Sequence, residues 1–240
     1  MVHKPADLVC HPTKGDEYSS LISRARLYLK TESEPHLVNR LDRETSGLVV
    51  IAKNAVVARE LGKIWETRAI QKEYLAIVHG HVRGEQGLID APLGKDETSI
   101  VAIKDCVRPD GTPSQTEYFV ERRFFRAVSP DTSKPITQNS QSTTSLSPFT
   151  LLRLLPRSGR KHQIRIHLQH LGHPIVGDKI YGGDTDLYLA LVEGRLTEEQ
   201  RGRLILSSHA LHAGRLQFHW RDRDWDFTTP PEPAFTEFLK

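Results

Sequence analysis

Apolar residues recur at helical spacing in two early stretches. From Ser20 to Leu29, Leu21, Ile22, Ala25 and Leu29 line one face, and Ser19 or Ser20 can cap the start. Val57, Leu61, Ile64 and Trp65 predict an amphipathic helix over 55–67 with Trp65 in the core. Between these helices, Leu48-Val49-Val50-Ile51-Ala52 is a continuous apolar run of the kind that forms a buried strand. Strand formers also dominate residues 72–80, 98–104, 114–128 and 149–155, with a turn at Arg108-Pro109-Asp110-Gly111. The start of the chain reads as a strand broken by a turn at Lys4-Pro5-Ala6-Asp7.

Further on, a helix from about Lys161 would set Ile164, Leu168 and Leu171 on one face and His162, Arg165 and Gln169 on another. Gly172 and Pro174 would end it. Thr197 with Gln200 makes a capping box for a short helix leading to Ile205, and residues 186–204 read as a variable insertion. A late strand over 209–218 and a short helix after Pro233 complete the pattern. Strands and helices thus alternate unevenly, which is consistent with an α+β class.

Composition changes this picture at one place. Ten of the twenty residues from Ser129 to Pro148 are Ser or Thr, so the segment has little to bury and is expected to be a mobile insertion. Elsewhere, 38% hydrophobic and 26% charged residues over 240 positions describe an ordinary globular chain with room for a sizeable core. No apolar stretch has the length of a membrane span, and the expected location is cytoplasmic. Cys10 and Cys106 are too few for a disulfide framework or a zinc site. A formal net charge of +3 does not by itself imply nucleic acid, so local clusters matter more.

The most informative cluster is Leu41-Asp42-Arg43-Glu44-Thr45-Ser46-Gly47. One carboxylate, Asp42, stands between Arg40 and Arg43, where cations favour its ionised form, and a Thr-Ser-Gly turn leads into the apolar run. A charged turn held by a rigid strand is a usual place for reactive groups. An isolated R-x-D-R is most often a surface ion pair. Six fixed positions in L-D-R-x-T-S-G, however, arise by chance only about once in 10⁷ to 10⁸ windows.

This string resembles the H-R-L-D-x-x-T-S-G signature of RNA pseudouridine synthases, in the branch acting on ribosomal and transfer RNA. Asn39 stands where the family usually has His, and Asp7 where an early K-P-x-G motif has Gly. The Tyr74 strand resembles the second motif. Arg160-Lys161-His162-Gln163-Ile164-Arg165 and the following Gly172-His173-Pro174-Ile175-Val176-Gly177-Asp178 resemble the third, with Lys161 replacing Thr. His209-Ala210-Leu211-His212-Ala213 with Leu216 and Phe218 matches an L-H-A-x-x-L-x-F element near the end of relatives.

The resemblance implies a pseudouridine synthase fold: a large, mixed, mostly antiparallel sheet flanked by helices, with a central active-site cleft. It implies one catalytic domain over 1–240, lacking the family's first strand and the amino-terminal RNA-binding domain of some members. It also implies a catalytic set of Asp42, Tyr74 and Arg165, with Arg165 paired to Asp42 and Tyr74 lying against the uracil. Arg40 would fill the stack vacated by a flipped nucleotide. Arg43, Arg153, Arg157, Arg160, Lys161 and His162 would contact the RNA.

Two other readings use the same residues. One is an RNA-binding protein that kept the site but lost the activity, which the Asn39 and Asp7 departures suggest. The other is a metal-dependent hydrolase built on His162, His167, His170 and His173, although no carboxylate stands at zincin spacing and no metal is expected. No phosphate-binding Gly-rich loop or dinucleotide fingerprint occurs, and the isomerisation needs no cofactor. The expected partner is rRNA or tRNA, with no membrane and no nucleotide cofactor, and the protein is expected to be a monomer.

Overall fold

A computed structural model describes residues 1–12, 18–30, 34–128 and 145–240. They form two compact units, Met1–Leu75 with Leu211–Lys240 (unit 1) and Ala76–Ala210 (unit 2). Unit 1 opens with β1 (Val2–Lys4) and α1 (Leu21–Leu29), followed by the short β2 (His36–Leu37), β3 (Ser46–Val49) and β4 (Ile51–Ala52). The Ser20 hydroxyl accepts from the Ser23 N–H and caps α1, which buries Leu21 and Ile22. Next comes α2 (Ala55–Glu66), capped by the Asn54 side chain on the Val57 N–H. Its apolar face packs as its spacing predicts. Leu61, with Val57, Ile64 and Trp65, lies against Leu48, Val50, Ile70, Leu216 and Phe218. Burying such a face contributes about 1.5–3 kcal/mol per large side chain.

The next strand, β5 (Ile70–His79), belongs to unit 1 up to Leu75 and to unit 2 from Ala76. In unit 2 it is followed by β6 (Gln86–Asp90), β7 (Leu93–Lys95), β8 (Asp105–Val107), β9 (Gln115–Val128) and β10 (Ser145–Pro156). β9 and β10 pair antiparallel from Thr116 opposite Pro156 to Val128 opposite Ser145. Their core residues Phe149, Leu152 and Leu154 are fully buried. Then come α3 (Gln163–His170), α4 (Asp186–Val192) and α5 (Glu198–Leu204). The Thr197 and Gln200 capping box is present at α5.

The chain returns to unit 1 with β11 (Leu211–Trp220), β12 (Arg223–Thr228) and α6 (Pro233–Phe238). In the main sheet, β1, β3, β11 and β5 are successive neighbours in unit 1, with β12 beside β11, and β5, β10, β9 and β6 are successive neighbours in unit 2. β3 and β11 pair parallel, whereas β1–β3, β11–β12, β9–β10 and β6–β9 pair antiparallel. The class is therefore α+β with a mixed, mostly antiparallel sheet, as expected. No helix among the described residues is long and apolar enough to cross a membrane.

Three expectations need correction. Residues 98–104 form turns joining β7 to β8 and are not a strand. Asp96 accepts from the Thr98 N–H and Ser99 from the Val101 N–H, so short polar side chains capture the backbone groups that a ladder would need. Ser145–Pro148, assigned by composition to the insertion, are the first residues of β10 and pair with Phe125–Val128. Residues 129–144 of that expected insertion lie outside the described residues. Lastly, β12 was not foreseen. Its hairpin turns through Arg221 and Asp222, both at positive φ (52° and 56°), without the Asn-Gly or Asp-Gly signal that usually marks such a turn.

Candidate active site

The Asp42 turn joins β2 to β3 and is pinned from several sides. On the approach, the Val38 N–H donates to Val50 O at 2.9 Å. The Asn39 amide continues this pairing, donating to Leu48 O at 3.2 Å and accepting from the Val50 N–H at 2.8 Å. The residue that departs from the family pattern thus supplies one donor and one acceptor to a strand edge, work that needs no charge. At the tip, the Thr45 N–H reaches Asp42 O at 3.2 Å. Asp42 is half-buried, and Arg40 and Arg43 are exposed.

Beneath the tip lies Lys4, fully buried. Its ammonium donates to Pro5 O, Leu8 O and Arg43 O at 2.7, 2.9 and 2.9 Å. Burial lowers its pKa to about 8, against the opposing pull of nearby negative groups that include Glu232, Asp42 and Asp7. Asp7 takes the place of the usual Gly with φ 64° and accepts from Arg43 Nε at 2.7 Å. Asp is one of the few side chains that visit this backbone region.

The exit from the turn explains two of the sequence strings together. Ser46 and Gly47 lie opposite His212 and Ala213 across the parallel β3–β11 pair. A Cβ on Gly47 would stand 2.3 Å from Ala213 O, so only glycine permits this approach.

Tyr74 lies on β5 in the same unit as Asp42. Burial, followed by the Asp42 charge, pushes its hydroxyl well above the ordinary phenol range. The phenol is therefore neutral, and the Asp42 carboxylate contributes to keeping it so.

Unit 2 holds Arg165, on α3. Helical spacing sets Arg165 on the face away from Ile164, Leu168 and Leu171, yet Arg165 is buried. Its Nε donates to Asp178 Oδ2 at 2.7 Å and its Nη2 to Asp178 Oδ1 at 2.9 Å, and its guanidinium lies 5.0 Å from the Tyr181 ring centre. Burial alone would raise the Asp178 carboxyl, but the charge and hydrogen bonds of Arg165 outweigh it and hold the group below the usual carboxylate range. Asp178 Oδ1 also accepts from the Ile180 and Tyr181 N–H groups, both at 2.9 Å. Sequence reasoning had not assigned a role to Asp178, although the G-D-x-x-Y-G string contained it.

The expected RNA contacts of unit 2 lie at or near the surface, and several already have partners. Arg153 donates to Glu121 at 2.8 Å and covers the Phe119 ring, Arg157 pairs with Glu117, and Lys161 reaches Asp105 at 2.9 Å. Arg160 is exposed. His162 Nδ1 shares a hydrogen with the Tyr181 hydroxyl at 2.9 Å. Of the other histidines in this stretch, His167 on α3 uses both ring nitrogens on Thr116 Oγ1 and Ala91 O, and His173 beyond the helix has Nδ1 2.8 Å from His79 O.

Comparison with known proteins agrees with these strings. A family model described as RNA pseudouridylate synthase matches residues 1–170. An uncharacterized RNA pseudouridine synthase of Chloroflexus aurantiacus is 35% identical over 238 residues, covering 97% of this chain and 62% of its own length. The dual-specificity RNA pseudouridine synthase RluA of Vibrio vulnificus is 35% identical over 226 residues, covering 93% of this chain and 75% of its own length. Among solved structures, human RNA pseudouridylate synthase domain containing 1 superposes with a TM-score of 0.69 at 24% identity, covering 98% of this chain and 81% of that one. That likeness shows the fold. The chain thus spans about three fifths of the Chloroflexus relative and three quarters of the Vibrio one.

Proposed function

The chain belongs to the RNA pseudouridylate synthase family, and from that premise we propose that it isomerises uridine to pseudouridine in rRNA or tRNA. The observation that carries the reading is the presence in one unit of a turn-borne carboxylate, Asp42, and a half-buried tyrosine, Tyr74, whose hydroxyl the Asp42 charge helps to push up. Relatives 35% identical to this chain are named as RNA pseudouridine synthases, which supports the substrate class.

The reaction breaks the bond from ribose C1′ to uracil N1 and forms one from C1′ to C5. The proton on C5 leaves and N1 gains one, so the atoms balance without a cofactor. Asp42 is the group that acts on the nucleotide, since an ionised carboxylate can serve as a nucleophile or a base. Tyr74 holds the detached uracil against its ring, and its neutral O–H passes a proton. Arg165 is the third member of the proposed catalytic set, contributed by unit 2. Asp178, by fixing two corners of the guanidinium, gives Arg165 one orientation.

Access requires the uridine to leave its stack, at a cost of a few kcal/mol. Arg40, exposed on the turn before Asp42, fills the vacated space. Arg43, Arg153, Arg157, Arg160, Lys161 and His162 hold the RNA, mostly through phosphate, and where they are ion-paired the phosphate takes the place of a carboxylate. The protein acts as a cytoplasmic monomer.

The test follows from the balance of atoms. With unmodified tRNA and rRNA transcripts carrying tritium on uracil C5, the purified protein should release tritium to water. Retention of all tritium in both RNA classes would overturn the proposal.

A further inference from the structure

One buried histidine has no place in the mechanism above. His212 is fully buried on β11. Its Nε2 lies 3.0 Å from Thr229 O, and its Nδ1 lies 2.8 Å from Ser46 Oγ. A carbonyl can only accept, so Nε2 carries the hydrogen. Nδ1 is then the acceptor, and the Ser46 hydroxyl donates to it.

The surroundings maintain that tautomer. Burial lowers the His212 pKa and favours the neutral ring; the hydrogen bond to Thr229 O opposes this, His3, with its ring centre 5.6 Å away, acts with burial, and Glu232 acts against it. His3 Nδ1 in turn shares a hydrogen with Thr229 Oγ1 at 2.7 Å. The arrangement therefore ties β1, β3, β11 and the segment after β12 at one point in unit 1.

That point is the exit of the Asp42 turn. Ser46 is the first residue of β3, and Gly47 beside it is already in close backbone contact with Ala213. The turn is held on its approach by Asn39 and beneath its tip by Lys4. Its exit is held through the Ser46 side chain. We propose that His212 is a positioning residue for the reaction, fixing through Ser46 the point at which the Asp42 turn enters β3. This rests on the function proposed above.

A positioning role predicts a loss in the chemical step rather than in RNA affinity, because the side chains of His212 and Ser46 are buried and make no surface contact. His212→Leu removes both hydrogen bonds while filling much of the space. His212→Asn keeps an oxygen where Nδ1 stands, so Ser46 still has an acceptor. Ser46→Ala breaks the same bond from the other side with little change of volume.

The experiment measures steady-state tritium release, for kcat and KM, beside RNA binding on the transcripts above, for folded wild type and the three variants. His212→Leu and Ser46→Ala should each slow kcat about tenfold to a hundredfold, the range expected when a reacting group is misplaced. KM and RNA affinity should change less than about twofold, and His212→Asn should recover most of the loss. Wild-type kcat in Ser46→Ala would overturn the positioning role while leaving the proposed function intact. So would equal losses in His212→Asn and His212→Leu. A wild type that releases no tritium would overturn the function, and this role with it.

Discussion

Arg165 and Asp178 form a two-point ion pair in which both side chains are buried, with Nε to Oδ2 at 2.7 Å and Nη2 to Oδ1 at 2.9 Å. Lys in place of Arg165 would keep the charge but could not reproduce that planar fork. Arg165→Lys should lower stability by about 1–3 kcal/mol and slow pseudouridine formation severely. Denaturant unfolding and turnover check this, and wild-type activity in the variant would show that the fork is incidental.

The same pair predicts a pH signature. Asp178 is held below the ordinary carboxylate range in the fold, so the unfolded chain binds this proton more tightly. The stability that the pair contributes is fully present above the unfolded value of about 4 and is lost as pH falls below it. Asp178→Asn should be less stable by about 3–5 kcal/mol, because it leaves a buried guanidinium poorly matched. It should also lack this component of the acid-induced loss. Unfolding curves between pH 2 and 7 for the two proteins make the comparison.

Lys4 gives the opposite limb. Its pKa is lowered to about 8 from 10.5, so the unfolded chain holds this proton more tightly and wild-type stability gains with rising pH across that interval. Lys4→Met removes the titration and strands the carbonyls of Pro5, Leu8 and Arg43, at a cost of about 1–3 kcal/mol. The gap in melting temperature between wild type and variant should widen from pH 8 to 10. A constant gap would mean that Lys4 does not lose its proton in this range.

Arg40 is exposed on the turn, and a side chain that fills a vacated stack matters only where stacking must be broken. Arg40→Ala should slow turnover on a folded RNA stem-loop more than on an unstructured oligonucleotide of the same sequence. Equal losses on both would remove the wedge role.

Much of this architecture was legible in the sequence. The periods of α1 and α2, the cap at Ser20 and the Thr197 capping box are local signals, and the structure follows them. Residues 98–104 misled because apolar Ile100, Val101 and Ile103 resemble a strand, whereas the Asp96 and Ser99 side chains turn the backbone. The site was legible as strings but not as bonds. Asp42, Tyr74 and Arg165 could be named, yet the partners of Lys4, Asn39, Asp178 and His212 depend on chain segments brought together by folding. Asn39 to Val50, for example, is a contact between two edges that no spacing rule specifies.

The most direct test of the central claim is pseudouridine formation measured beside RNA binding for wild type and Asp42→Asn. The amide is nearly isosteric, and phosphate contacts come from basic side chains, so RNA affinity should be kept or slightly increased as a negative charge is removed. A neutral amide is neither a nucleophile nor a base, so the variant should form no pseudouridine on transcripts that wild type modifies. Substantial pseudouridine formation by Asp42→Asn would contradict the mechanism.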